Sequence, residues 1–308
     1  MKNRSFLAVS MNPTFQESLV FPTLVMNTVN STREYRLDVA GKGLNVCRVL
    51  TQLGKDCRHL TPLGGILRPL FLELCARDNL KIDWVESFSP IRFCHTLLGR
   101  EENSVSELVE EPEKVEEGTE ARLLEAFSRL IPECTTLIIA GTKAAGFSDT
   151  LIPEMVRQAR ARDCQVILDI KGPDLLNSLP FEPDLIKPNL YEFVSTFAPE
   201  LVSRNDVLNG GCIKEKIEKI CAELYEKYHC RLVLTRGADS VWYAEKGKLA
   251  EYTFEPVKPV NTVGSGDAFS AGLAAALEEG ASLAEAVVQG ARCGALNAGI
   301  LRPGVIIP

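Results

Sequence analysis

The residues richest in chemistry are Asn261-Thr262-Val263-Gly264-Ser265-Gly266-Asp267-Ala268-Phe269-Ser270. Two glycines flank a serine, an aspartate follows, and an alanine-rich run ends at Gly280. Good helix formers closed by a glycine predict a helix. Gly264, Ser265 and Gly266 then lie at its N-terminus. Unpaired N–H groups and the positive end of the helix dipole suit a phosphate there. Asp267, in the first turn, is able to accept a proton. An anion cradle beside a base is what phosphoryl transfer to a hydroxyl requires. Taken alone, the stretch is equally compatible with a tight loop whose aspartate only caps a helix.

A second segment repeats the design. Ala40-Gly41-Lys42-Gly43-Leu44-Asn45 opens a helix with Leu44, Val46, Val49, Leu50 and Leu53 apolar, and Gly54 ends it. Lys42 brings a compact positive charge to another helix N-terminus. Asn45 can both donate to and accept from a hydroxyl. The spacing of a Walker A loop is absent. Alone, Lys42 also reads as a solvated surface charge.

Together these segments resemble the signatures of the PfkB (ribokinase-like) carbohydrate kinases. Gly41-Lys42-Gly43-Leu44-Asn45-Val46 is similar to the N-terminal signature, and Asn261 through Phe269 to the C-terminal one. Lys187-Pro188-Asn189-Leu190-Tyr191-Glu192 resembles the family's Lys-Pro-Asn-x-x-Glu, and Thr235-Arg236-Gly237 its Thr/Ser-x-Gly. All four occur in the family's order. Met11-Asn12-Pro13, Ser89 through Arg92 and Ser106 through Pro112 more loosely resemble the 1-phosphofructokinase and tagatose-6-phosphate kinase branch.

The resemblance implies roles. Asp267 is the general base, and the N–H groups of Gly264, Ser265 and Gly266 stabilise the transferred phosphoryl group. Lys187, Asn189 and Glu192 lie near the phosphates of ATP, with Mg²⁺ held through phosphates and waters near Asn189 and Glu192. The alternative for Asn189 and Glu192 is a helix cap. Thr235, Gly237 and Asn297 border the nucleoside, Asn297 reading almost equally as a C-cap before Gly299. Gln16, Gly41, Lys42, Asn45, Arg92 and Thr142 face the acceptor, with Lys42 and Arg92 binding a phosphate already on the sugar. Lys143 adds a phosphate contact or faces solvent. Three departures stand on the acceptor side: Gln16 where the branch has Asp, Ala40 for the first glycine of its signature, and Arg68 where a third glycine is expected after Gly64-Gly65.

The elements that position these residues read as α/β. Strands are expected at residues 57–62, 136–140, 165–170, 185–187 and 231–235, and a first buried strand at 6–10. Helices are expected at 70–79, 119–130, 150–162, 213–228 and 283–297. That rhythm predicts a mainly parallel sheet flanked by helices, with ligands beyond the carboxyl ends of the strands. Gly141, Asp169, Lys187 and Thr235 all fall at such ends. Residues 15–38 and about 91–111 alternate polar and apolar instead, as half-exposed strands do. The resemblance makes the chain one ribokinase-like three-layer domain over 1–308, those two insertions forming a small β-sheet lid. It also implies a homodimer joined through the lid.

The chain has 308 residues, 45% hydrophobic, with a formal net charge of −7. That balance gives no electrostatic footprint for nucleic acid. No apolar run reaches the ~18 residues of a membrane span, and Asn12-Pro13 interrupts the short N-terminal one. Ten cysteines without Cys-x₂-Cys spacing read as buried thiols of a cytoplasmic protein, and the spacing of Cys212, Cys221 and Cys230 matches no metal site. The function expected is ATP-dependent phosphorylation of a ketohexose phosphate: fructose 1-phosphate, fructose 6-phosphate or tagatose 6-phosphate. The alternatives are a kinase of an unphosphorylated sugar or nucleoside, which would leave Lys42 and Arg92 unpaired, and a non-catalytic sensor, which has no need of Asp267.

Overall fold

The computed structural model describes residues 5–202 and 210–307, without the side chains of 210–212. The strands are β1 (Phe6–Val9), β2 (Thr14–Phe21), β3 (Glu34–Ala40), β4 (Cys57–Leu63), β5 (Lys81–Glu86), β6 (Arg92–Gly99), β7 (Ser104–Val109), β8 (Thr136–Ala140), β9 (Gln165–Asp169), β10 (Leu185–Ile186), β11 (Arg231–Leu234), β12 (Val241–Glu245) and β13 (Lys248–Tyr252). The helices are α1 (Lys42–Gln52), α2 (Arg68–Arg77), α3 (Thr119–Leu130), α4 (Leu151–Arg160), α5 (Gly172–Ser178), α6 (Leu190–Phe197), α7 (Pro199–Val202), α8 (Gly210–Tyr228), α9 (Ser265–Glu278) and α10 (Leu283–Ala298).

Nine of the described strands form the main sheet, in the order β13-β12-β11-β10-β9-β8-β1-β4-β5. It is parallel from β11 to β5, and β12 and β13 add an antiparallel edge. Alternation along β1 shows the three layers. Leu7 and Val9 pack with Leu123, Phe127, Met155 and Ile217, beneath α3, α4 and α8. Phe6 and Ala8 pack with Val46, Leu273 and Val287, beneath α1, α9 and α10. Side chains of a strand point alternately to opposite faces, so a fully apolar strand needs cover on both.

The two alternating segments pair with each other in a separate four-stranded sheet, β3-β2-β6-β7. β2 pairs antiparallel with β3 and parallel with β6, and β7 closes the edge antiparallel to β6. One face carries Thr14, Gln16 and Ser18, with Cys94 and Thr96 beside them on β6. β5, β12 and β13 lie where no strand was expected. β5 is mostly exposed or half-buried, so it lacks the apolar run that marks β8 or β9.

Helices α9 and α10 pack through glycines. A Cβ on Gly272 would lie 2.7 Å from both the Gln289 carbonyl oxygen and the Cys293 sulfur. The carbonyl is helix backbone and cannot swing aside. Gly272→Ala is therefore expected to destabilise by about 1–3 kcal/mol through overpacking, read as a lower urea midpoint at unchanged m-value. An unchanged midpoint would show that the two helices separate at no cost.

Candidate active site

An open cleft lies between the carboxyl ends of the main strands and the inner face of the small sheet. Its wall includes Gly41, Lys42 and Asn45 from α1, Gly264, Gly266 and Asp267 from α9, and Asp169 and Lys187 from the strand ends. Asn189, Glu192 and Thr235 complete that side, and Gln16, Cys94, Arg92 and Glu107 face them from the small sheet. Thr142 stands in an adjoining pocket that shares Lys42, Arg92 and Asp169. The chain thus brings together residues as far apart in sequence as Gln16 and Asp267, 251 positions.

The anion cradle is built as a helix start. Gly264 is the N-cap of α9 with a left-handed backbone, φ 82°. Only glycine fits it, for a second reason as well: a Cβ would lie 2.7 Å from the Gly304 nitrogen. Ser265 departs from expectation. Its N–H donates to the Thr262 carbonyl at 3.2 Å and its hydroxyl to Asn297 at 3.3 Å. The turn that presents Gly264 and Gly266 uses the Ser265 N–H to close itself.

Asp267 follows, 6% exposed. Asn45 donates its Nδ2 to Asp267 Oδ2 at 2.8 Å. Burial pushes the Asp267 pKa up, and nearby Asp169 adds to this. Lys42, the Asn45 bond and Lys187 oppose them, and the result is about 6. Such a carboxylate is ionised at neutral pH and more basic than an ordinary one, which suits it to taking a proton from a hydroxyl.

Asp169, noted in the sequence only as a strand end, is the charge centre of the cleft. Its side chain lies 3.0 Å from Lys187 Nζ and 3.5 Å from Lys42 Nζ, and it accepts from the Ser270 hydroxyl at 2.8 Å. Burial acts most strongly on it and upward, but Lys187, Lys42 and Ser270 hold its pKa below the ordinary carboxylate value. Lys42, its side chain 39% exposed, is accordingly a paired charge at the cleft rather than a free one. It also lies 3.4 Å from Glu192 Oε1, and Asp169 foremost, against burial and with Glu192 and Asp267, raises its pKa.

The capping reading of Asn189 and Glu192 is correct, and it does not remove them from the cleft. Glu192 N–H donates to Asn189 Oδ1 at 2.8 Å, and Asn189 N–H to Glu192 Oε2 at 3.0 Å, closing a capping box. Glu192 Oε1 is left to face Lys42. Such a donor set cannot form an all-protein cage, and no cluster of three or more His, Cys, Asp or Glu fit to hold a metal exists among the described residues. It does fit an ion carried on phosphates and waters.

Arg92 differs from Lys42. Its Nη1 donates to the Glu110 carbonyl at 2.9 Å, and its buried Nε has no partner among the described residues. Gln16 is 4% exposed and donates its Nε2 to the Thr96 hydroxyl at 2.8 Å. Thr142 accepts from Asn12 Nδ2 at 3.4 Å.

Three assignments need correction. Asn297 does not border the open cleft: it is fully buried, and its Nδ2 donates to the Arg302 and Val305 carbonyls at 3.2 and 3.0 Å. It braces the cradle from behind. Lys143 neither faces solvent nor meets the cleft, because Asp174 and Asp149 hold it at 2.5 and 3.1 Å. Arg68, where a glycine was expected, pairs with Glu86 and lies over the Trp84 ring, away from the cleft. Gly237 sits in the turn beyond Thr235 with φ 66°. The nine cysteines with described side chains are buried; Cys212 lies outside the described side chains.

Comparison with known proteins now decides the family. Residues 15–306 match the model of the pfkB family carbohydrate kinases. The chain belongs to that family. It is similar to a D-tagatose-1-phosphate kinase from Bacillus licheniformis, 28% identical over 278 residues, which are 89% of this chain and 86% of the relative. Among solved structures it resembles phosphofructokinase-2 from Escherichia coli with its substrates and products, at a TM-score of 0.80 and 21% identity, covering 96% of this chain and 93% of the other. It also resembles ribokinase from Thermotoga maritima, at 0.73 and 18% identity, covering 100% and 96%. These likenesses make the fold ribokinase-like, and the family makes the protein a carbohydrate kinase.

The Asp267 environment has a consequence for stability. Its folded pKa, about 6, lies above the ordinary 3.8. Between those values the native state holds a proton that the unfolded chain has lost. Stability therefore falls as pH rises through that window, and the full loss, on the order of 3 kcal/mol, persists above it. Asp267→Asn is expected to raise stability by about 1–3 kcal/mol at pH 7.5, with the gain shrinking toward pH 4, measured by urea unfolding at each pH. Equal stability of the two proteins at pH 7.5 would contradict the burial argument.

Proposed function

We propose that this protein is an ATP- and magnesium-dependent kinase of a ketohexose phosphate, acting in the cytoplasm. The observation that carries the reading is a basic carboxylate, Asp267, beside a glycine-opened helix end, in one cleft with an arginine that has no carboxylate partner among the described residues. Asp267 takes the proton of the acceptor hydroxyl as that oxygen attacks the γ-phosphorus of ATP, and ADP leaves. The N–H groups of Gly264 and Gly266 stabilise charge on the transferred phosphoryl oxygens; losing one such donor typically costs about 3–4 kcal/mol in the transition state. Lys187, with Asn189 and Glu192, serves the nucleotide side, and Thr235 lies toward the nucleoside. When bound, Mg²⁺ neutralises phosphate charge.

Arg92 supports a phosphorylated acceptor. Lys42 shares its charge between Asp169 and Glu192, whereas among the described residues Arg92 meets only a carbonyl, leaving its fork for a phosphate. Fructose 1-phosphate, fructose 6-phosphate and tagatose 6-phosphate remain candidates, and the name of the Bacillus relative adds tagatose 1-phosphate. In this reading the small sheet is the lid over the sugar. Its outer strands expose Tyr35, Leu37, Val105 and Leu108, a surface that a second subunit's lid would cover.

Gln16 fits this acceptor class. Its Nε2 is engaged by Thr96, so the carbonyl oxygen is the end left to accept from a sugar hydroxyl. A neutral acceptor binds less strongly than the carboxylate usual in this branch.

An acceptor panel with ATP consumption as readout tests the assignment. Better use of free fructose than of any of the four phosphates would sink it. Arg92→Ala is expected to raise KM for the phosphorylated acceptor at least ~10-fold, with KM for ATP moving far less; equal effects on both would remove Arg92 from the acceptor site. Gln16→Asp should improve kcat/KM on the best ketohexose phosphate about 5–30-fold. A loss on all four phosphates would mean that the amide N–H₂ is the recognising group.

A further inference from the structure

Arg48 lies on α1, one turn after Asn45, and is 2% exposed. Removing a guanidinium from water is expensive, and an apolar residue of similar volume is often as stabilising. Four groups hold it. Its Nε pairs with Asp78 Oδ2 at 3.1 Å, and its Nη2 donates to the Val39 carbonyl at 2.6 Å. Its Nη1 reaches Asn45 Oδ1 at 3.0 Å and the Pro303 carbonyl at 3.5 Å. Asp78 is shared with Arg302, which also pairs with Asp38 at 2.8 Å.

A guanidinium only donates; it has no acceptor. The Asn45 amide must therefore turn its oxygen to Arg48 and its Nδ2 to Asp267, where it donates to Oδ2 at 2.8 Å. Gly304 closes the space beside that amide, since even a Cβ there would come within 2.8 Å of Asn45 atoms. We propose that Arg48 is a positioning residue: it fixes the Asn45 amide so that one Asp267 oxygen is held and the other is left for the acceptor hydroxyl. The proposal rests on the reading of Asp267 as the base. Without Arg48, Asn45 is free to turn its carbonyl oxygen toward Asp267, which disfavours the ionised carboxylate.

The test uses the full chain. The Asp267 carboxyl is titrated by ¹³C NMR in the ligand-free protein, its resonance assigned by its loss in Asp267→Asn. The acid limb of kcat/KM is measured with ATP, Mg²⁺ and whichever of the four ketohexose phosphates is used best. In Arg48→Met both midpoints should rise together by ~0.5–1 pH unit, with kcat about 2–10-fold lower and KM for ATP nearly unchanged. Arg48→Lys, still a pure donor, should restore the titration. The double variant Arg48→Met/Asn45→Ala should be no worse than Asn45→Ala alone. An unmoved Asp267 midpoint in Arg48→Met, or additive losses in the double variant, overturns the proposal, because a merely structural role lowers stability without moving that titration. Should Arg48→Met fold too poorly, Arg48→Leu, which likewise offers Asn45 no donor, must show the same shift; no shift there overturns it equally. Full turnover by Asp267→Asn would instead defeat the base reading, while the NMR titration still reads the Arg48–Asn45 link by itself.

Discussion

The site depends on neutralising one buried charge. Asp169, 2% exposed, ends β9 in the body of the sheet. A carboxylate there is tolerated only if it is paired and hydrogen-bonded. Its partners come from three other segments: Lys187 after β10, Lys42 at the first residue of α1, and Ser270 on α9. Taking away one partner of a buried pair typically costs about 3–5 kcal/mol, because the other charge is stranded. The compensation therefore fixes the relative positions of two strand ends and two helix starts. Those are the parts that line the cleft.

Asp267 is what this arrangement leaves over. It lies one turn before Ser270 on the same helix and is buried almost as deeply as Asp169. The two lysines close to both are engaged with Asp169. Burial and the like charge of Asp169 therefore prevail at Asp267, and its pKa settles near 6 while that of Asp169 is held down. Two carboxylates in one site, pushed in opposite directions by their surroundings, divide the work between them. One stays an anion that organises cations; the other, in the proposed reaction, is the base, which gains from ionising reluctantly.

Much of this was legible in the sequence, for identifiable reasons. β8 and α3 run over the residues that pattern alone assigns to them, because a fully buried strand and a strongly amphipathic helix carry their signal within a few residues. The cradle and Asp267 were legible because glycines at a helix start are a local constraint. What escaped was set by partners distant in sequence. Nothing near Asp169 reveals that Lys42, 127 positions away, will meet it. Nothing near Lys143 reveals Asp174, and Asn297 looked like a cap because its carbonyl partners belong to the turn that follows α10. Cys94 and Glu107 could have been found by parity: once Gln16 faces the cleft, the period of two assigns the same face to their positions on the neighbouring strands.

The same reasoning accounts for Ala40, which stands where the family signature has its first glycine. Ala40 is the last residue of β3, paired with Thr14 in an ordinary extended register and 4% exposed. An extended residue places no special demand on its φ, so a methyl group fits there. Gly41 is in a different position. It has φ 124° and forms the N-cap through which the chain leaves the small sheet and enters α1. An L side chain rarely adopts that conformation. The chain thus keeps the glycine that the backbone requires and gives up the one beside it. The requirement is functional in its effect. Lys42 is the next residue, so the turn at Gly41 sets both where the small sheet meets the main one and where the ammonium group enters the cleft.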